Sequence, residues 1–134
     1  VRPPMGPQWQ LRLGGDWRRN TGRTREDFTF LAGSATRNRE AGGRSDQTGA
    51  FAELSHDVGA ALISLSGRLD RWVLSQGFRR EVNIGGSLRS DDRFADRAGW
   101  EGTARLAARV PVSESLALDG AVYTGWRLPT LNEL

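Results

Sequence analysis

The sequence predicts an all-β chain: an antiparallel up-and-down meander of about five long strands, forming an open segment of a transmembrane β-barrel. Three observations predict it. Apolar and polar residues alternate with period two over successive runs, so each run presents two chemically distinct faces as a strand. The connections between runs alternate strictly between short and long, as in barrels with tight turns on one side of the membrane and extended loops on the other. Tryptophans fall at the ends of the runs, where amphipathic rings meet a bilayer interface.

The first strand spans residues 8–18, with Trp9, Leu11, Leu13, Gly15 and Trp17 alternating against Gln10, Arg12, Gly14, Asp16 and Arg18. A long loop, 19–47, follows. The second strand, 48–56, sets Ala50, Ala52 and Leu54 against Gly49, Phe51, Glu53 and Ser55, with Phe51 out of phase on the polar side. Only Asp57, Val58 and Gly59 separate it from the third, 60–71, which alternates Ala61, Ile63, Leu65, Gly67 and Leu69 with Leu62, Ser64, Ser66, Arg68 and Asp70. A second long loop, 72–98, leads to the fourth strand, 99–110, where Trp100, Ala104, Leu106, Ala108 and Val110 oppose Glu101, Thr103, Arg105 and Arg109. Pro111 to Glu114 form a short turn into the fifth, 115–126, with Leu116, Leu118, Val122 and Trp126 against Asp119 and Tyr123. Strands of this length match tilted membrane-crossing strands, and no run of apolar residues is long enough for a membrane helix.

The loop pattern makes the first, third and fifth strands rise toward the exterior and the second and fourth descend. Trp17, Trp100 and Trp126 then lie at outer ends and Trp9 at an inner end, whereas the parity of Trp72 groups it with Arg68 and Asp70, at a loop mouth or pointing inward. Trp9 and Trp17 stand about 26 Å apart along a strand, or about 19 Å of depth at a barrel tilt. The polar faces give a lumen-facing set of Arg12, Asp16, Arg18, Glu53, Arg68, Asp70, Glu101, Arg105, Arg109, Asp119 and Tyr123, most of which are expected to pair with one another. A soluble β-sandwich produces the same alternation but points the alanines and leucines inward, so the two readings differ in which face is covered.

Composition removes several functions. Every one of the 19 basic residues is Arg, a pattern better explained by compositional bias than by a phosphate-binding surface. The arginines are scattered along the chain rather than clustered with stacking aromatics, which argues against nucleic acid. With no Cys and one His, cofactor and metal sites of the usual ligand sets are not expected, and His56 reads as a solvated turn residue rather than a general base. No catalytic constellation is expected. Asp91, Asp92 and Asp96 are interleaved with Arg89, Arg93 and Arg97 and read as a charge-balanced loop, and Gly85 and Gly86 as turn glycines. Ligand recognition is placed on the long loops, where Arg23, Arg25, Arg37, Arg39 and Arg44 would attract an anionic chelate.

The terminal Gly125, Trp126, Arg127, Leu128, Pro129, Thr130, Leu131, Asn132, Glu133 and Leu134 resemble a motif of TonB-dependent outer-membrane receptors. GAFAELS at Gly49 to Ser55 is similar to one of their strands, and RLDRWVLSQGF followed by DDRFADR resembles a connection between mid-barrel strands. The likeness covers about residues 8–134 and is most specific in the last dozen. It implies part of a large plugged barrel in the outer membrane of a Gram-negative bacterium, active in uptake of a scarce ligand such as a metal chelate. The partners it implies are outer-membrane lipid, the remaining barrel, a plug domain and the TonB system. The start at Val1 and stop at Leu134 are read as those of a fragment, inert in transport alone and prone to aggregate through its open edges. A passive porin-like or structural barrel and a soluble sandwich binding domain stay open as alternatives.

Overall fold

The computed structural model describes residues 1–128. Six strands follow one another: β1 (Trp9–Leu31), β2 (Ser34–Val58), β3 (Ala61–Asn83), β4 (Leu88–Arg93), β5 (Arg97–Ser113) and β6 (Leu116–Tyr123). They form one antiparallel meander in the order β1-β2-β3-β5-β6, with β4 paired on β3. Among the described residues no helix is long and apolar enough to cross a membrane, which says nothing about crossing by strands.

The two long loops expected at 19–47 and 72–98 are mostly strand, broken only at 32–33, 84–87 and 94–96. β1 runs 23 residues and β2 25, joined by Ala32 and Gly33 alone, both at positive φ (50° and 81°) as a type I′ hairpin turn requires. Ala is a poor occupant of the left-handed region, so the turn lacks the Asn-Gly or Asp-Gly pair that advertises it. β3 continues to Asn83, where Asn83 N–H donates to Ser87 O at 2.9 Å and Gly86, φ 86°, donates back to Asn83 O at 2.8 Å. The apolar alternation stops near residue 18 because both faces turn polar, and period-two reading needs one apolar face. What holds these stretches extended is charge across the ladder: Arg19 to Asp46 at 2.6 Å, Arg23 to Glu40 at 2.5 Å, and Asn38 to Asp27 at 2.8 Å.

Two further boundaries move. β5 passes through Pro111 to Ser113, with a register irregularity between Pro111 and Ser113 at the place where proline cannot donate to the ladder. β6 ends at Tyr123 instead of 126, so Trp126 lies beyond the strand. There the Thr124 hydroxyl accepts from Ala104 N–H at 3.0 Å while Thr124 N–H donates to Ala104 O at 2.9 Å, a side chain completing the last rung. Of the terminal motif, Gly125 to Leu128 are described, and Pro129, Thr130, Leu131, Asn132, Glu133 and Leu134 lie outside the described residues.

By its contacts the chain divides into two compact units. The first holds Val1–Trp17, Thr48–Arg71 and Trp100–Arg127, and the second is built on Arg18–Gln47 and Trp72–Gly99. The second unit is thus made of the two segments expected as loops.

In the first unit the apolar side chains are outside. Leu13, Leu65 and Val122 are 38%, 55% and 68% exposed, and Ile63, Leu69, Leu106, Val110 and Leu118 are exposed beside them. A sandwich requires these residues to share a dry centre, and they do not. The polar side chains are the ones that find partners. Arg12 pairs with Glu53 at 3.1 Å, Arg109 with Asp119 at 3.8 Å, and Arg68 bridges Asp16 at 2.6 Å and Asp70 at 2.6 Å. Asp70, at 2% exposure, is the most buried large side chain described. Gly49 makes room for it, since a Cβ there would overlap both the Arg68 guanidinium and the Asp70 carboxylate. Phe51, out of phase by pattern, lays its ring over Gly14 in the space a Cβ would need, with Arg12 6.0 Å above its centroid. A glycine thus lets an aromatic ring lie flat on the polar face.

Candidate ligand site

The second unit lines a half-open cavity of about 790 Å³. Its polar lining comes from Arg39 and Arg44 on β2, Arg79 on β3, Arg97 at the start of β5, and Glu26 on β1; its apolar wall comes from Leu74, Phe78 and Phe94. Leu74 is the one buried hydrophobic side chain among the described residues. Glycines open the space. Phe94 stands over Gly77, where a Cβ would come within 3.1 Å of the Phe94 Cβ, and Phe78 leans on Gly42, where the corresponding approach is 2.8 Å. Phe94 is tethered at this place by its N–H, which donates to Gly77 O at 2.9 Å. Gln76, at φ 56°, lies within β3 just before Gly77, and its N–H donates to Asp96 Oδ1 at 3.2 Å. An L-residue in the left-handed region shifts strand parity locally.

Of the five arginines expected to meet a ligand, the structure brings Arg39 and Arg44 to the cavity and leaves Arg23, Arg25 and Arg37 elsewhere. Arg23 and Arg25 share Glu40, at 2.5 Å and 3.4 Å. The hydrogen bond from Arg23 holds the Glu40 carboxyl below its ordinary range and raises Arg23 in turn. Arg37 and Arg39 lie 5.9 Å and 4.9 Å from the centroid of Phe28, a cation–π clamp on one ring, and Arg39 also binds Glu26, Nε to Oε1 at 2.5 Å. Arg44 is different. Its Nε is buried and has no hydrogen-bond partner among the described residues.

Sequence reasoning missed Arg79, Arg97, Leu74, Phe78 and Phe94. The available signal was two phenylalanines and a leucine in stretches otherwise rich in charge, where an aromatic has no reason to be unless it covers something. Arg79 is committed to Asp92 at 3.1 Å, and Arg93 lies 5.5 Å over Phe78. Asp91 faces Arg93 at 3.8 Å, so the three acids of that stretch engage different partners.

The other residues singled out lie apart from the cavity. His56 stacks on Trp9, centroids 3.8 Å apart and planes within 12°, with Nδ1 3.1 Å from Gln8 O. The ring N–H therefore donates to a backbone carbonyl, which fixes the turn between β2 and β3 to the start of β1. Trp72 covers Gly99, a Cβ there falling 2.5 Å from Cζ2. Gly85 and Gly86 belong to the turn before β4.

An inside-out apolar face, ion-paired polar face and six-stranded meander leave the fold family to be identified by comparison. No curated protein and no solved structure matches the chain. The sequence model of the family described as TonB dependent receptor-like, beta-barrel matches residues 3–134, and the chain belongs to that family of outer-membrane receptor barrels.

Proposed function

We propose that the chain supplies wall and rim to an outer-membrane receptor of a Gram-negative bacterium that actively takes up a scarce ligand such as a metal chelate. The observation that carries this reading is the division of labour in the first unit: leucines and valines bare on one face, ion pairs and a buried carboxylate on the other. In a membrane barrel the first face meets lipid and the second lines the lumen. A plug domain and the TonB system are the partners that such a barrel works with. The arginine-rich second unit, including Arg23, Arg25, Arg37, Arg39 and Arg44, stands outside the membrane and draws an anionic ligand toward the rim. Chemistry on the ligand is not assigned to it, since the family is one of transporters.

The test is uptake of a radiolabelled ferric chelate by iron-starved cells carrying the complete receptor gene, with and without an uncoupler. Accumulation that the uncoupler abolishes is expected. Entry that persists unchanged describes a passive porin-like barrel and overturns the proposal.

A further inference from the structure

We infer that the cavity of the second unit is a binding site for an organic anion, a carboxylate, sulfonate or phosphate carried on a flat apolar body. This deepens the receptor reading and rests on it for its biological sense, though the binding can be measured without transport. The charge balance comes first. The lining holds four arginines and one carboxylate, Glu26. Arg39 is held by Glu26 and Arg79 by Asp92, but Arg44 and Arg97 have no ion partner among the described residues. Two uncommitted guanidinium groups bordering one space leave it net positive, which repels cations and gives a neutral solute no charge to meet.

Burial sharpens the point. The Arg44 Nε donor is buried and has no acceptor for its hydrogen bond among the described residues, an arrangement that an incoming oxyanion relieves and a hydrocarbon does not. The opposite wall selects the rest of the ligand: Leu74, Phe78 and Phe94 present an apolar surface, and the space of about 790 Å³ falls in the range of small-molecule sites. Gly42 and Gly77 let Phe78 and Phe94 settle against backbone, which sets both rings along the cavity as surfaces for a flat group to stack on. A divalent cation is disfavoured by the same inventory, since one carboxylate already bound to Arg39 offers no ligand set.

The experiment uses the complete receptor folded in detergent micelles and fluorine NMR of two probes that differ in charge, 4-(trifluoromethyl)benzenesulfonate and neutral 4-(trifluoromethyl)benzenesulfonamide. Saturable broadening by the sulfonate, at least about tenfold tighter than by the sulfonamide, is expected. Arg97→Gln and Arg44→Gln should each weaken the sulfonate about tenfold and leave the sulfonamide unchanged, while Arg109→Gln, in the first unit, should change neither. If Arg44→Gln fails to fold, as judged by heat-modifiable migration, Arg97→Gln carries the test, because the Arg97 side chain is exposed and makes no ion pair among the described residues. Equal affinity for both probes, or no effect of Arg97→Gln, overturns the site. Equal loss in Arg109→Gln does so too, since it marks unspecific attraction. Anion binding that survives beside uncoupler-insensitive entry sinks the receptor reading alone; energised uptake with no probe discrimination sinks this inference alone.

Discussion

Replacing Leu106 by Arg places a guanidinium where the first unit presents its barest apolar surface. Leu106 sits in β5 opposite Val122 of β6, at 48% and 68% exposure, so the new side chain has no protein cover. Trp100, the aromatic at the start of the same face, is six residues away, about 20 Å along the strand and about 14 Å in depth at a barrel tilt. That is near the middle of an apolar band about 25 Å tall, too deep for an Arg side chain to reach either surface at low cost. The expected penalty on assembly is about 2–4 kcal/mol, or about 30- to 1000-fold in the folded-to-unfolded ratio. Arg105→Leu, one residue earlier on the opposite face beside Tyr123, serves as the matched control and should cost under about 1 kcal/mol. The assay is urea-dependent folding of the complete receptor into phospholipid vesicles, followed by tryptophan fluorescence and heat-modifiable migration. Equal penalties at 105 and 106, or a larger one at 105, would refute the assignment of faces.

Three other perturbations probe the remaining contacts. Arg68→Leu removes the cation that Asp16 and the buried Asp70 share and should destabilise the fold by about 2–3 kcal/mol, less than for a fully buried pair because Arg68 keeps some exposure; adding Asp70→Asn should recover part of it in the same urea titration. Gly99→Ala drives a methyl into the Trp72 ring and should cost about 1–3 kcal/mol, read with a change in the near-ultraviolet dichroism of tryptophan; an unchanged spectrum would show that the ring does not rest there. Glu40 has its pKa lowered in the fold by Arg23, so its stabilising contribution is present above the unfolded value near 4.5 and disappears as pH falls through the lower folded value. Stability of the wild-type chain should therefore drop more steeply than that of Glu40→Gln in that acidic window, and parallel pH profiles would discount the pair.

Leu106, Leu65 and Leu13 were legible because one face of each run is apolar and the other polar, a contrast that a single sequence displays directly. The paired charges Arg12 with Glu53 and Arg68 with Asp16 were legible as a class, as polar-face residues of opposite sign, though not as partners, since register depends on turns. The extension of β1 to Leu31 and of β3 to Asn83 was hidden for a reason of the same kind. Residues such as Arg19, Thr21, Arg23 and Arg25 alternate only among polar types, and a strand wet on both faces has no hydrophobic period to reveal it. The cavity was hidden further still. Arg97 and Phe94 are distant in sequence from Arg39 and Arg44, and only the ladder brings them together around Gly77.

That origin on strands bears on how the site would bind. Arg39, Arg44 and Arg79 belong to β2 and β3, where cross-strand pairs and backbone ladder bonds fix their starting points, and Phe94, in the short break after β4, is tied by its own N–H to Gly77 O. Residues held in this way lose little backbone freedom on meeting a ligand, so little of the interaction energy is spent on ordering. An extended loop of the kind the sequence suggested would have to order many residues first, at about 1–2 kcal/mol for each backbone position fixed. Side-chain substitutions at Arg44 and Arg97 should therefore act mainly on the dissociation rate of the anion, and leave its association rate to the long-range field of the surrounding arginines, which salt screens. Stopped-flow measurements with the sulfonate probe at two ionic strengths separate the two. A change confined to association on removing Arg97 would place that residue in the field around the cavity rather than on the bound anion.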